Sequence, residues 1–178
     1  NNNTVDYMAE IFDLYTALQH ANIPAEIIDE DDLVNLEEEG VSVLYVTEPN
    51  VPEEGLAGLE KWVKNGGVLV TVSGACSADR YDEPVSWMRK RMGIEEKYDG
   101  RLLLANLGVL KEMRNGNGKA GIFTAAGPVS EILSTNKLTV LGRFEDGKAA
   151  VVEKKVGKGK IVHFAWFPGL SYAVSPKE

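Results

Sequence analysis

The chain has 178 residues, 44% hydrophobic and 26% charged, which suits one globular domain able to bury a core without disulfides or metals. Its formal net charge is −8, with acid gathered at residues 29–32 and 37–39. Nucleic acid is therefore disfavoured as a partner, because phosphate contacts need a basic surface. A single cysteine excludes an internal disulfide, and two histidines argue against a Cys/His zinc site. No metal and no cofactor are expected. No apolar run approaches the roughly 18 residues that cross a bilayer, so membrane insertion is not expected either.

Asn1 to Thr4 lack the basic-then-apolar layout of a signal peptide, which says little of a chain that reads as a piece of something longer. Tyr7, Met8, Ile11, Leu14, Tyr15 and Leu18 recur at three- and four-residue spacing, and this predicts an amphipathic helix over 4–21 that Asn22 and Pro24 end. "AEIID" (25–29) reads as a short strand, and residues 31–38 as a brief helix closed by Gly40. "VSVLYV" (41–46) is an apolar run of the kind buried on both faces of a parallel sheet. A helix follows, with Pro52 in its first turn, Glu53 and Glu54 at its positive end, and Asn65, Gly66 and Gly67 at its exit. "VLVTV" (68–72) is the next buried strand, and Pro84 opens a helix predicted to reach Met92. Alternating strands and helices argue for an α/β fold with helices on both faces of a mostly parallel sheet.

The last third changes character. "RLLLANLGVL" (101–110) is apolar but ambiguous, and "RNGNGKAG" (114–121) reads as a loop. "LTVLGRF", "KAAVVEKKV" and "KIVHFAWF" are three strands joined by tight Gly-containing turns, a hairpin ladder and hence an antiparallel β-rich C-terminal part. Neither a linker nor an internal repeat interrupts the single domain of residues 1–178. The basic clusters at 89–91 and 154–160 read as solvated faces. The chain opens on a helix, where folds of this kind open on a central strand. That strand is expected upstream in a longer protein, or supplied from elsewhere.

Three stretches carry a resemblance: "LYTALQHANIPAEIIDEDDL", "VLYVTEPNVPEEGLAGLEKWVKNGGVLVTVSG" and "VGKGKIVHFAWFPGLSY". Together they resemble the class I glutamine amidotransferase-like fold, and most of all its non-catalytic branch, typified by the β-galactosidase trimerisation domain of family 42 glycoside hydrolases. The likeness covers residues 5–92 and 138–172. It implies a flavodoxin-like sheet whose ligands bind beyond the carboxyl ends of the strands. By that geometry a pocket would be lined by Glu48 and Asn50, by Ser73, Asp79, Tyr81 and Asp82, and by Trp166 and Phe167.

An amidotransferase nucleophile sits on a sharp strand-to-helix turn, where the sulfur is exposed beside backbone N–H groups that hold an oxyanion. Gly74-Ala75-Cys76-Ser77-Ala78 imitates half of that pattern, but Cys76 lies four residues beyond Val72 and no helical pattern begins before Pro84. The His-Pro-Glu run of catalytic members is replaced by Ala165-Trp166-Phe167-Pro168-Gly169. His163 lies within the strand, where a packed sheet-face histidine is the simpler reading. Cys76 and His163 are thus weak catalytic candidates, and a cysteine of ordinary pKa without a base is a poor nucleophile. Asp79, Asp82, Glu83 and Tyr81 could bind sugar or pair carboxylates, although a solvated loop with Asp82 or Glu83 capping the next helix is the plainer reading. Trp62 and Trp87 read as core residues, whereas Trp166 beside Phe167 is a candidate for stacking on sugar.

The expected function is a non-catalytic module for assembly or ligand recognition in a larger, carbohydrate-related bacterial protein. Its partners would be other domains of that protein or further copies of itself, with carbohydrate as a possible ligand. A parent protein exported to the periplasm or beyond is compatible with this. Two alternatives stand beside it: a Cys-dependent small-molecule hydrolase using Cys76, and a sugar-binding module using Trp166 and the 79–83 loop.

Overall fold

The structure, a computed structural model, describes residues 3–97, 108–114 and 120–174. Part of the 101–110 stretch and of the 114–121 loop lies outside them. Helix α1 (Asn3–His20) forms where the apolar spacing predicts it, with Tyr7 buried and Ile11, Leu14, Tyr15 and Leu18 half-buried. Asn22 ends it in the left-handed region at φ 55°, and Ile23 N donates back to Leu18 O at 2.9 Å. The strand expected at 25–29 does not form: residues 23–29 run on in irregular conformation, because no sheet edge lies beside them to pair with. The brief helix expected at 31–38 contracts to a 3-10 turn, Glu30–Val34. Asp29 caps it, accepting from Asp31 N at 3.1 Å while Asp32 accepts from Asp29 N at 3.2 Å, so part of the acidic run serves a local turn.

Strand β1 (Val43–Val46), helix α2 (Glu53–Asn65) and strand β2 (Val68–Thr71) make one parallel crossover unit. The helix exits through Gly66, and Trp62 is pinned as its indole N–H donates to Val41 O at 2.9 Å. The helix expected from Pro84 shrinks to a single wide turn, Met88–Met92. Pro84 itself forms an isolated β-bridge with Ala78, so Asp82 and Glu83 have no helix to cap. The remaining strands are β3 (Glu96–Lys97), β4 (Gly108–Arg114), β5 (Ala120–Ala125), β6 (Glu131–Ile132), β7 (Thr139–Phe144), β8 (Ala149–Val156) and β9 (Gly159–Phe164). Helix α3 (Pro168–Val174) follows the last of them.

Among the described residues one sheet has the order β1-β2-β9-β8-β7-β4-β5, and β3 pairs with β6 in a second, two-stranded sheet. β1, β2 and β9 run parallel, and every pairing from β9 outward to β5 is antiparallel. The parallel and antiparallel parts read from the sequence are therefore two halves of one sheet. β1 stands at its edge, so Val43 (50% exposed) and Tyr45 (38%) face solvent, and the expectation of a strand buried on both faces fails there.

Side chains alternate across β8 and β9. Val152 and Ile161 enter the main core with Leu59, Val63, Leu69 and Met92, beneath α2. Val151 and Val162, one residue along, enter a smaller cluster with Trp166 on the opposite face. A third cluster, Tyr7, Val72, Ala75 and Phe167, lies under α1. The β8–β9 turn is pressed onto the end of α2: a Cβ at Gly159 would collide with Val63 O and Gly67 O. This turn joins two strands and is no phosphate loop.

Candidate functional site

The loops that follow the parallel strands do converge. Cys76 N donates to Glu48 O, Ala78 N to Pro49 O and Val51 N to Ala78 O, each at 3.0 Å. Asn50 closes the seam, its side-chain amide donating to Asp79 O at 2.8 Å and to Asp82 Oδ1 at 2.7 Å. The third loop joins through packing, since Phe167 shares a cluster with Val72 and Ala75.

Inside this junction Cys76 has φ +56°, a conformation that costs a non-glycine residue strain. Strained backbone is a feature of nucleophile elbows, but the thiol here is fully buried. Burial, helped by the Glu96 carboxylate, pushes its pKa up to about 12. The described residues show no hydrogen bond from its sulfur to a histidine, and its backbone N–H is already spent on Glu48 O. Neither an activated thiolate nor a free oxyanion donor at this residue is present. A cavity of 250 Å³ lies beside it, bordered by Cys76, Ser77, Ser86, Met88, Arg89 and Glu96.

His163 is committed elsewhere. Its Nδ1 is 2.9 Å from Thr71 Oγ1 on the neighbouring strand, and its Nε2 is 3.2 Å from Glu96 Oε2. That second contact is close enough for an ion pair but misaligned for a hydrogen bond, since both atoms lack an aligned partner. Gly74 N also donates to Glu96 Oε1 at 3.2 Å. Burial raises the Glu96 carboxyl, yet His163, Ser130 and the Gly74 amide together outweigh it and hold it below the usual carboxylate range. The cluster ties β3 to the parallel strands.

Helix α1 closes the crevice from above. Tyr7 is 1% exposed, its hydroxyl donates to Ser73 O at 3.3 Å, and its ring meets Phe167 with centroids 4.9 Å apart. One turn on, Glu10 is fully buried and accepts from Gly169 N and Leu170 N, each at 2.8 Å, at the start of α3. Burial raises its carboxyl to about 7 against the opposing pull of those two amides. His20, in the last turn of α1, has Nδ1 2.6 Å from the Tyr172 hydroxyl on α3. The ends of the parallel strands are thus filled by the protein's own side chains.

The other candidates divide. Glu48 and Asn50 border a different cleft, beside β1, and desolvation raises the Glu48 carboxyl. Ser73 is buried beneath Tyr7. Asp79 accepts from Tyr81 N and Glu83 N at 2.8 and 3.0 Å, so with Asp82 it holds the loop rather than facing a ligand. Tyr81 projects into solvent, 78% exposed. Trp166 and Phe167 are 2% and 0% exposed, so neither presents a face to a sugar, and the stacking expectation gives way to packing against Phe144 and Phe164 for Trp166. Sequence reasoning missed Glu10 and Glu96. An acid at position 10 within the apolar stripe of α1 was a readable signal, whereas nothing around Glu96 marked it.

The profile of the beta-galactosidase trimerisation domain family matches residues 1–171, including residues 93–137, which lie outside the stretches that carry the resemblance. Among solved structures, the β-galactosidase from Bacillus circulans sp. alkalophilus aligns over 90% of this chain and 25% of its own, at 20% identity and TM-score 0.75. The cold-adapted β-galactosidase from Rahnella sp. R3 aligns over 92% and 25%, at 20% identity and TM-score 0.69. A cytoplasmic protein from Salmonella typhimurium aligns over 85% and 73%, at 13% identity and TM-score 0.59. At such identities the likeness is one of fold, and the chain spans about a quarter of the β-galactosidases it matches. No curated protein matches it. The profile match over nearly the whole chain places this protein in the beta-galactosidase trimerisation domain family.

Proposed function

We propose that this domain is an assembly module that brings chains together in threes within a larger, carbohydrate-related protein and performs no chemistry itself. The family match over residues 1–171 carries the reading. The site supports it from the other side: Tyr7 occupies the strand-end crevice, Cys76 is buried with a pKa of about 12, and His163 is engaged by Thr71 and Glu96. We further read the sheet as a flavodoxin-like, amidotransferase-like plan that has lost its active site. The parallel β1-α2-β2 unit, the convergence of its loops and the strained Cys76 favour that origin. Sedimentation of the chain tests the assembly reading, with a trimer expected and a persistent monomer speaking against it.

A further inference from the structure

Charge is divided along this chain. None of its 19 lysines and arginines comes before Lys61, whereas the first 60 residues hold 15 of its 27 acids. The fold keeps the two signs apart. Every acid from Glu26 to Glu39 is exposed, and no cation lies among them in sequence. This arm is seated on one flank of α2: a Cβ at Gly58 would strike Leu33 O, and Glu37 bonds Asn65 and lies 3.6 Å from Lys61 Nζ. Among the described residues Lys61 is the arm's only ion-pair partner. Ile27 and Val34 stand exposed between the acids.

The cations gather beyond the other flank of the same helix, across its buried stripe of Leu56, Leu59 and Val63. There Arg91 Nε lies 3.5 Å from Glu60 Oε2, and Lys64 Nζ meets Glu60 Oε1 at 2.5 Å. Lys154 Nζ donates to Met92 O at 2.8 Å, and Lys158 N donates to Lys64 O at 2.9 Å, which brings the β8–β9 turn alongside. Lys90, Lys154 and Lys158 have no carboxylate partner among the described residues.

Identical copies around a threefold axis cannot meet through one self-matching patch. Each must present two different surfaces, one to each neighbour. A twofold contact through the arm would instead lay acid on acid. Opposite patches also set register and draw together copies that a net charge of −8 keeps apart.

We propose that the 26–39 arm of one copy docks on the cluster of Lys64, Lys90, Arg91, Lys154 and Lys158 of the next, head to tail around a ring of three. Ile27 and Val34 supply apolar area at the centre of the acidic surface, and the charges form its rim. Such a contact rests on the assembly reading above and specifies which surfaces make it.

Sedimentation equilibrium of the 178-residue chain and two variants tests it. Glu30→Lys/Asp31→Lys/Glu38→Lys/Glu39→Lys cancels the net charge of the arm, and Lys90→Glu/Lys158→Glu cancels that of the cluster. All six side chains are exposed, and circular dichroism melts check that both variants stay folded. Each variant alone is expected to be monomeric, with association weakened by about 100-fold or more. Mixed one to one, they should form a dimer and no trimer, because each retains the surface that the other lacks. Raising NaCl from about 50 mM to about 500 mM should weaken association of the parent by about tenfold or more, a test that needs no variant.

Variants that stay trimeric, or a parent trimer indifferent to salt, overturn the two surfaces and leave the assembly reading standing. A mixture that stays monomeric overturns the head-to-tail pairing as well. A parent monomeric at every concentration overturns both readings. Salt-sensitive growth without a limit at three, with the mixed dimer formed, upholds the surfaces and sinks assembly in threes alone.

Discussion

His163 Nε2 lies 3.2 Å from Glu96 Oε2, and this buried pair joins the last parallel strand to the small second sheet. Removing one partner leaves a charge stranded in the interior, which typically costs about 3–5 kcal/mol, whereas replacing both with apolar residues is often close to neutral. His163→Leu is therefore expected to lower the urea midpoint strongly. The His163→Leu/Glu96→Leu double variant should recover most of the loss. A single variant as stable as the parent would show that the pair contributes nothing.

Glu10 and Glu96 push stability in opposite directions with pH. The Glu10 carboxyl titrates near 7 when folded and near 4.5 when unfolded, so the folded state binds the extra proton between those values. Its contribution to stability is greatest below about 4.5 and falls as pH rises to about 7, by at most about 3 kcal/mol. Glu96, held below its ordinary value of 4.5, contributes stability above that pH and loses it on further acidification. Stability should therefore peak near pH 4.5 as far as these two groups decide it. Denaturant titrations of Glu10→Gln across the range are expected to show no decline between 4.5 and 7, and a decline like the parent's would remove Glu10 as its source.

Cys76 should be chemically silent. At a pKa of about 12, roughly one thiol in 10⁵ is ionised at pH 7, and the sulfur is buried besides. Iodoacetamide is expected to leave the folded protein unlabelled over hours and to label it fully in denaturant. Rapid labelling of the folded protein would reopen the hydrolase reading.

These three predictions turn on side chains that the sequence exposed unevenly. The helices at 4–21 and 53–65, the parallel pair and the C-terminal hairpins were legible because apolar periodicity and Gly-containing turns are local signals. The strand expected at 25–29 and the helix from Pro84 failed because both depend on pairing that apolar periodicity does not report. For residues 25–28 no edge is there to pair with, and Pro84 is drawn into a bridge with Ala78. The resemblance placed Glu48, Asn50, Asp79 and Asp82 on neighbouring strand-end loops as the lining of a pocket, whereas Asn50, Asp79 and Asp82 bond the loops to one another. That Tyr7 would fill the crevice was not legible, since only tertiary packing turns that residue inward.

The two glycines that flank the C-terminal hairpins should respond differently to substitution. Gly159→Ala drives a methyl into Val63 O and Gly67 O, backbone atoms that cannot step aside, and is expected to cost about 1–3 kcal/mol or more. Gly147 has φ +85° but open space around its Cβ position, so Gly147→Ala carries backbone strain alone, about 1 kcal/mol. Thermal melts of the pair check the order, and a milder effect at Gly159 would argue against the tight seat on α2.

Assembly into threes is the property on which the proposed function depends. Sedimentation equilibrium of the purified chain over a wide concentration range measures the mass directly. A mass of three times 19.4 kDa is the predicted result. A single species at 19.4 kDa throughout that range would contradict it.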